Sequence, residues 1–427
     1  MKFIHTADWH LGSQLHNIER KKECEMFLQW LTSTIIENEI QALIIAGDIY
    51  DKATPSIEAQ TMYHRFLASL VGTCCKNIIV VGGNHDSAHL LDANKDLLRL
   101  LNISVVGSIS NLELEKACFK LFNAHDEVIG ICMAVPFIRE AELHNIVVDD
   151  DSDADNFYAS AHKRIYDTLY RIAKKIRNDE RVPIIATGHL YASNLEGRLA
   201  LARSQDSHDD GMKVIDVLGN LGNIPPHIFP PVDYVALGHI HYTTMVDKNP
   251  SIRYSGSPFV MGFDDADIPH YVLCVDVKGG ECPIVQKLET PSPYRYKRIS
   301  GTVDEIKHKL NEMIAESVDN AEHKETFIEL CYVRMYDVDI DVVLEDTLKK
   351  LPAHIKIINR KPIEQNDATK NIHDTTYSVH ELKALTDKEI FTKLILTNIQ
   401  CDEKSEEGKA LLEKFLPLFM KVAAEIE

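Results

Sequence analysis

The sequence predicts an α/β fold in which helices cover a mainly buried sheet. Short apolar runs that end in glycine or a polar residue alternate with longer helical patterns through the first half of the chain. The predicted strands are residues 2–6, 42–46, 77–81, 183–187 and 232–237. The predicted helices are residues 21–38, 57–71 and 156–178.

The chain has 427 residues, more than a single hydrophobic core usually organises. Strand patterns at 327–335 and 354–360 and amphipathic helices at 303–317 and 340–351 follow a proline-containing linker and predict a small α+β domain. Two helical segments with apolar stripes end the chain and predict a hairpin. We therefore expect domains at 1–288, 289–367 and 376–427.

Composition and cysteine usage favour a cytoplasmic protein. The opening MKFIHTADWH is too short and too polar for a secretion signal, and no stretch reaches the ~20 consecutive apolar residues of a membrane span. The nine cysteines include no CxxC pair, and several lie in apolar runs, which indicates reduced thiols. The net charge of −19 argues against nucleic-acid binding, although it does not report where basic residues cluster.

Five segments share one layout, in which an apolar strand ends abruptly in a residue that can bind metal. They read HTADWH, IIAGDIYD, VVGGNHD, IIATGHL and VALGHIH. The carboxyl ends of strands in an open α/β sheet converge on the crevice where ligands bind, so these ends can bring distant side chains together. The candidate ligands are Asp8, His10, Asp48, Asn84, His189, His239 and His241.

Seven ligands of these types are too many for one tetrahedral ion and suit two ions that share a carboxylate. Asp48 is the predicted bridge, because two carboxylate oxygens can hold metals ~3.5–4 Å apart, the spacing that clamps a phosphate and activates a water. A single histidine at a strand end is usually only hydrogen-bonded, and aspartate beside glycine usually forms a turn. Five such strand ends in one chain make that simpler interpretation hard to maintain.

The motifs DWH, GDIYD, GNHD, GHL and GHIH, in this order, resemble the calcineurin-like metallophosphoesterase superfamily over roughly the first 260 residues. HTADWHLG, GDIYDKATP, GNHDS and YSGSP at 254–258 resemble its SbcD family, the nuclease subunits of bacterial SbcC/SbcD DNA repair complexes. The resemblance implies a β-sandwich flanked by helices, with the α+β domain as a cap. It also implies a dinuclear-metal-dependent DNA nuclease.

The resemblance assigns one ion to Asp8, His10, Asp48 and His241, and the other to Asp48, Asn84, His189 and His239. Manganese is the usual metal of the family, and a ligand set without thiolates is compatible with it. His85 is the natural group to protonate the departing sugar oxygen, and the resemblance gives it the same role. Asp86 either orients that imidazole or caps the helix that begins near Ser87, and Asp51 is expected in a loop or cap.

The expected substrate and partner come from the resemblance. Capping domains of the family contact DNA, and basic residues of this one are Arg295, Lys297, Arg298, Arg334, Lys356, Arg360 and Lys361. Weaker candidates for DNA contact are Lys52, His16, Arg198 and Arg203. The hairpin matches the region that binds the coiled coil of the ATPase SbcC, in an assembly with two copies of each protein. No GxxxxGK[ST] motif occurs here, so the ATPase must be another protein.

The resemblance further implies endonuclease activity on single strands and 3′-to-5′ exonuclease activity on duplex ends. Two alternatives remain open. A phosphatase or phosphodiesterase of the same superfamily would cleave a small chromogenic phosphodiester and leave DNA intact in Mn²⁺. A scaffold that has lost activity would bind its partner only, and the intact set of candidate ligands argues against it.

Overall fold

The computed structural model describes residues 1–109, 111–146, 157–192, 223–318, 324–333 and 340–363. In chain order the strands of these residues are β1 (Lys2–Thr6), β2 (Gln14–Leu15), β3 (Ile18–Glu19), β4 (Ala42–Ala46), β5 (Asn77–Val81), β6 (Ile103–Val106), β7 (Cys118–Phe122), β8 (Val128–Met133), β9 (Ile184–His189), β10 (Tyr191–Ala192), β11 (Asn223–Ile224), β12 (Tyr234–Gly238), β13 (Thr244–Met245), β14 (Ile252–Tyr254), β15 (Tyr271–Asp276), β16 (Ile284–Glu289), β17 (Tyr294–Gly301), β18 (Glu325–Val333) and β19 (Ile355–Ile363). The α-helices are α1 (Lys21–Glu37), α2 (Ile57–Leu70), α3 (Ala88–Asp92), α4 (Lys95–Arg99), α5 (Glu140–Ile146), α6 (Phe157–Ile176), α7 (Val303–Val318) and α8 (Ile340–Leu348).

Two six-stranded sheets stack face to face at the centre of the fold. The first has the strand order β16-β15-β1-β4-β5-β6, and the second has the order β13-β14-β12-β9-β8-β7. Strands β1, β4, β5 and β6 are parallel, as are β8, β9, β12 and β14. The carboxyl ends of the parallel strands therefore lie together at one edge of each sheet. The predicted sandwich flanked by helices is confirmed.

Alternating side chains of the inner strands divide the core into layers. Phe3 of β1 packs between the two sheets, whereas the next residue, Ile4, packs under α1 and α2. In the second sheet Ile185 faces the inter-sheet layer, and Ile184 packs with α6. Strands buried on both faces are continuously apolar, which is why their sequences stand out. Among the described residues no helix has both the length and the apolar character that crossing a bilayer would require.

The expected α+β domain is a three-stranded parallel sheet of order β17-β18-β19, which we call the capping sheet. Helices α7 and α8 cover one face, through Ile306, Leu310 and Leu344. The linker predicted around 291–294 is short, and β17 begins at its last residue. Residues 1–363 form one compact unit, so the boundary at 289 stays a prediction. The hairpin predicted at 376–427 lies outside the described residues.

Candidate metal centre

The seven candidate ligands lie at the carboxyl ends of five parallel strands, three in the first sheet and two in the second. The loops after β1, β4 and β5 carry Asp8, His10, Asp48 and Asn84, while the ends of β9 and β12 carry His189, His239 and His241. Asp8, His10, Asp48 and His189 are almost fully buried. The stacking of the two sheets thus brings together side chains that lie far apart in sequence.

One half of the centre is organised around the side-chain oxygen of Asn84. This Oδ1 lies 2.9 Å from Nε2 of His189 and 3.0 Å from Nδ1 of His239. Nε2 of His189 also lies 3.2 Å from Oδ2 of Asp48. The Nδ1–H of His189 donates to the carbonyl of Ala46 at 2.9 Å, which directs Nε2 toward the other side chains. These contacts join the second sheet to the loops of β4 and β5.

The other half surrounds His10. Its Nε2 lies 3.6 Å from Oδ2 of Asp48, and its ring centroid lies 5.1 Å from that of His241. Potential ligand atoms of Asp8, His10 and His241 lie within 4.8 Å of one another, as do those of Asp8, Asp48 and His189. Asp48 therefore contacts histidines on both sides, as a carboxylate shared by two ions would.

The ring nitrogens of His10 test whether the site suits a metal. The side chain is 2% exposed, and within the described ranges neither nitrogen has a hydrogen-bond partner. A buried polar group without a partner is costly, because it gives up its hydrogen bonds to water. A divalent cation would supply the missing partner, so the donor set fits a metal centre.

The protonation states of the buried side chains also fit a metal centre. Burial lowers the pKa of His239 to about 3 and that of His241 to about 4, so both imidazoles stay neutral and keep the lone pairs a metal requires. Burial raises the pKa of Asp8 to about 8. For Asp48 burial acts in the same direction, but the charge of His189 outweighs it and holds this pKa well below its usual range. Protons on these side chains compensate the negative charge of the buried carboxylates, and bound divalent ions would take over that role.

Four of the seven candidate ligands have left-handed backbone. Their φ angles are 54° at Asp8, 43° at His10, 51° at Asp48 and 98° at His239. This region costs roughly 1–2 kcal/mol for residues other than glycine, and it occurs mainly where the surroundings enforce it. Here the N–H of Asp8 donates to the carbonyl of Gly47, and that of His10 to the carbonyl of Asp48, both at 3.0 Å. Paired turns after β1 and β4 thus hold three of these residues.

Glycines in the motifs allow these loops to approach one another closely. A Cβ on Gly47 or Gly238 would overlap the ring of His189. A Cβ on Gly83 would overlap the carboxylate and amide of Asp48. The glycines of GD, GN and GH are therefore required by packing against the candidate ligands.

His85 lies at the exposed side of the centre. Its Nδ1–H donates to the main-chain carbonyl of Asp51 at 2.8 Å, and its amide N–H donates to Oδ1 of Asp48 at 2.9 Å. The ring centroid is 4.8 Å from that of His10. Donation from Nδ1 leaves Nε2 free to accept or release a proton. The sequence indicated Asp51 as a loop residue but gave no sign that its carbonyl orients His85, since every residue carries one.

Asp86 has neither of the two roles weighed from the sequence. Its carboxylate accepts three backbone hydrogen bonds, from Ile49 at 3.1 Å and from Tyr50 and Gly83 at 2.9 Å. The cap of α3 is Ser87, whose hydroxyl accepts from the amide of Leu90. Asp86 therefore fastens the loop after Asp48 to the loop after β5, and it does so through backbone groups that no side-chain pattern reveals.

The YSGSP segment also supports the centre, which the sequence did not indicate. The hydroxyl of Tyr254 donates to the carbonyl of Leu190 at 2.9 Å and accepts from the amide of Ala192 at 2.7 Å. The N–H of Ser257 donates to the carbonyl of His241 at 2.9 Å. The segment thus holds the chain just after His189 and the loop that carries His241.

Comparison with known proteins assigns the chain to a family. A family model described as calcineurin-like phosphoesterase matches residues 1–243. The SbcD protein of the SbcCD nuclease of Escherichia coli K12 is 31% identical over 314 residues, which cover 73% of this chain and 74% of that protein. The chain belongs to the SbcD family of calcineurin-like phosphoesterases.

Other SbcD relatives cover still more of the chain. The SbcD protein of the Rhodobacter capsulatus SbcCD nuclease is 29% identical over 364 residues, covering 83% of this chain and 86% of its own. That of Bacillus subtilis is 26% identical over 433 residues, covering 100% and 99%. The predicted family is confirmed, and with it a metal-dependent phosphodiester hydrolase of a class that uses two metal ions. The role of each side chain stays a prediction.

The four weaker candidates for DNA contact differ in their surroundings. Lys52 is exposed directly after Asp51. His16 is 24% exposed, stacks on Phe263, and lies 3.9 Å from a carboxylate oxygen of Glu329, so it has contacts within the chain. Arg198 and Arg203 lie outside the described residues.

Only some of the basic residues predicted to contact DNA in the capping sheet are available to bind a substrate. Arg298 pairs with Asp264 and Glu329, Lys356 pairs with Glu325, and Arg360 pairs with Asp341. Arg334 is not among the described residues, and Lys361 is half-buried. Arg295 and Lys297 are exposed on β17. These two are the stronger candidates for phosphate contact.

Proposed function

We propose that the protein is a dinuclear-metal-dependent DNA nuclease that acts with an SbcC-like ATPase. The observation that carries the proposal is the convergence of seven oxygen and nitrogen ligands from both sheets around the buried carboxylate of Asp48. Relatives named as nuclease subunits over most of the chain support DNA as the substrate.

In this proposal one ion is held by Asp8, His10, Asp48 and His241, and the other by Asp48, Asn84, His189 and His239. Manganese is the proposed metal. Such ions supply positive charge at the phosphate and an activated water. Asp86 and Tyr254 would keep the supporting loops in place, because their hydrogen bonds fix backbone on either side of the ligands.

His85 is proposed as the general acid for the departing 3′ oxygen. Its exposure lets a polymer reach the ring, and the bond from Nδ1 to the Asp51 carbonyl presents Nε2 as the group that transfers the proton. A positioned acid of this kind contributes about 100- to 10,000-fold to the rate. Single-strand endonuclease and 3′-to-5′ exonuclease activities follow from the family resemblance.

The assembly we propose has two copies of this chain and two of the ATPase, with the hairpin at 376–427 as the ATPase-binding element. An exposed apolar face near α4 suits self-association, since Leu97 is 63% and Leu100 is 81% exposed. Free thiols such as Cys24 and Cys132 suit the cytoplasm as the proposed compartment.

The experiment that tests this function incubates the purified chain with labelled linear duplex and single-stranded DNA in Mn²⁺, with EDTA as a control. We expect metal-dependent cleavage that His85→Ala reduces at least 100-fold while metal content and DNA affinity are retained. Intact DNA together with hydrolysis of a chromogenic phosphodiester would instead establish an enzyme for small substrates. Undiminished cleavage by His85→Ala would remove the general-acid role.

A further inference from the structure

A buried carboxylate outside the metal centre joins the capping sheet to the core. Glu23 on α1 is fully buried. Arg20 donates to it at 2.9 and 2.7 Å, Ser292 at 2.8 Å and Tyr296 at 3.1 Å. Arg20 precedes α1, whereas Ser292 lies in the linker and Tyr296 on β17. Glu23 therefore receives hydrogen bonds from both sides of the junction.

A second buried carboxylate, which belongs to the capping sheet, reinforces the same junction. Glu329 on β18 is 1% exposed and accepts from Asn359 at 2.6 Å and from Arg298 at 2.5 Å. Arg298 also pairs with Asp264 of the core, and Nε2 of His16 lies 3.9 Å from Glu329. Two polar networks thus link the capping sheet to the core.

Apolar residues also pack between the capping sheet and the core. The buried members of this cluster are Leu15, Val260, Phe263, Tyr296 and Phe327, and the partly buried side chains packed against them are Ile18, Ala266, Tyr294 and Ile358. On the side of Glu23 the junction borders a cavity of about 410 Å³, lined in part by Pro258 and Tyr296. Apolar contacts are not directional, whereas hydrogen bonds to a buried charge favour one arrangement of the groups that make them.

The core side of this junction is built from segments that leave the metal centre. The β2–β3 hairpin begins four residues after His10, and both residues of its turn have positive φ, 45° and 68°, as a tight two-residue turn requires. Val260 and Phe263 follow Ser257, whose N–H binds the carbonyl of His241. The orientation of the capping sheet is therefore defined relative to the candidate ligands.

We propose that Glu23 and Tyr296 are positioning residues for polymeric substrate. Arg295 and Lys297, the exposed residues proposed to contact phosphates, are the immediate neighbours of Tyr296 on β17. The bond from Tyr296 to Glu23 fixes where these two charges stand relative to the metal centre. In the proposed function a DNA strand bound at the centre also contacts these two charges, whereas a small phosphodiester needs only the centre. The inference rests on the proposed function as a DNA nuclease.

The test compares Tyr296→Phe with Tyr294→Phe in the full chain with Mn²⁺. Tyr296→Phe removes one hydroxyl and keeps the ring in the apolar cluster. Tyr294→Phe is the matched control, because it makes the same change on the same strand and, among the contacts of the described residues, Tyr294 has no hydrogen bond to Glu23. Glu23→Gln is a second variant, which removes the charge that Arg20 faces.

We expect Tyr296→Phe and Glu23→Gln to lower kcat/KM for duplex DNA about 10-fold or more, while kcat and KM for bis(p-nitrophenyl) phosphate stay within about twofold. Hydrogen exchange of residues 292–300 should rise in both variants and not in Tyr294→Phe. Equal losses on both substrates, or unchanged DNA cleavage in both variants, would overturn the positioning role. A parent chain that leaves DNA intact would overturn the proposed nuclease function itself.

Discussion

Gly83→Ala perturbs the proposed bridging carboxylate without altering any candidate ligand. A Cβ at this position would overlap Oδ1 and the amide nitrogen of Asp48 and would lie 2.7 Å from its Cγ. Carbon atoms pack favourably at ~3.5–4.0 Å. The carboxylate or the loop of residue 83 must therefore move by roughly 1 Å.

A displacement of roughly 1 Å in a catalytic constellation costs on the order of 100-fold in rate, and overpacking costs about 1–3 kcal/mol of stability. We expect Gly83→Ala to retain less manganese after dialysis, measured by elemental analysis. Turnover of DNA and of the chromogenic phosphodiester should fall together by about 100-fold, because both depend on the same centre.

Gly262→Ala is the control, because beyond the two adjacent residues the nearest heavy atom to a Cβ there is the Asp264 amide nitrogen at 4.0 Å. It should match the parent in metal content, in thermal unfolding and in both activities. If Gly83→Ala also kept two ions and activity within about twofold, the inference that close packing fixes Asp48 would be refuted.

Three further changes test the bridging carboxylate of Asp48, the loop contacts of Asp86 and the binding of the ATPase partner. Asp48→Asn should bind neither ion tightly and lose nearly all activity, and tight binding of two ions measured by calorimetry would exclude the bridging role. Asp86→Ala leaves three buried backbone N–H groups without their acceptor and should lower the free energy of unfolding by about 3 kcal/mol or more in urea titrations with EDTA, so a loss under about 1 kcal/mol would contradict its structural role. Removing residues 379–427 should spare metal-dependent cleavage and abolish capture of an SbcC-like partner, and retained capture would assign that interface elsewhere.

The strands that carry the site could be predicted because they are short, continuously apolar and abruptly ended. The strand predicted at 183–187 is Ile184–His189, and that at 232–237 is Tyr234–Gly238, so each bound lies within about two residues. The convergence of Asp8 and His241 on one region also followed from the rule that strand ends converge in an α/β sheet, whereas their assignment to one ion came from the family resemblance.

The supporting contacts could not be predicted, because they use backbone groups. The carbonyl of Asp51 and the amides bound by Asp86 carry no signal in the identity of their residues. The first strand of the capping sheet is absent from the predicted strands, since Pro291, Pro293 and Tyr294 indicate a linker and its parallel pairing with β18 depends on residues about 30 positions later.

The candidate ligands enter the centre from two separate stretches of chain, 8–84 and 189–241, which belong to different sheets. Asn84 and His189 are 105 positions apart, from 189 − 84, so the first group leaves the ribosome well before the second is made. A nascent chain cannot offer a complete set of donors until β9 and β12 have stacked on the first sheet. Each proposed ion takes at least one ligand from the second stretch, so metal capture would follow the stacking of the two sheets, and a shortage of metal would leave a completed chain easier to unfold and to degrade.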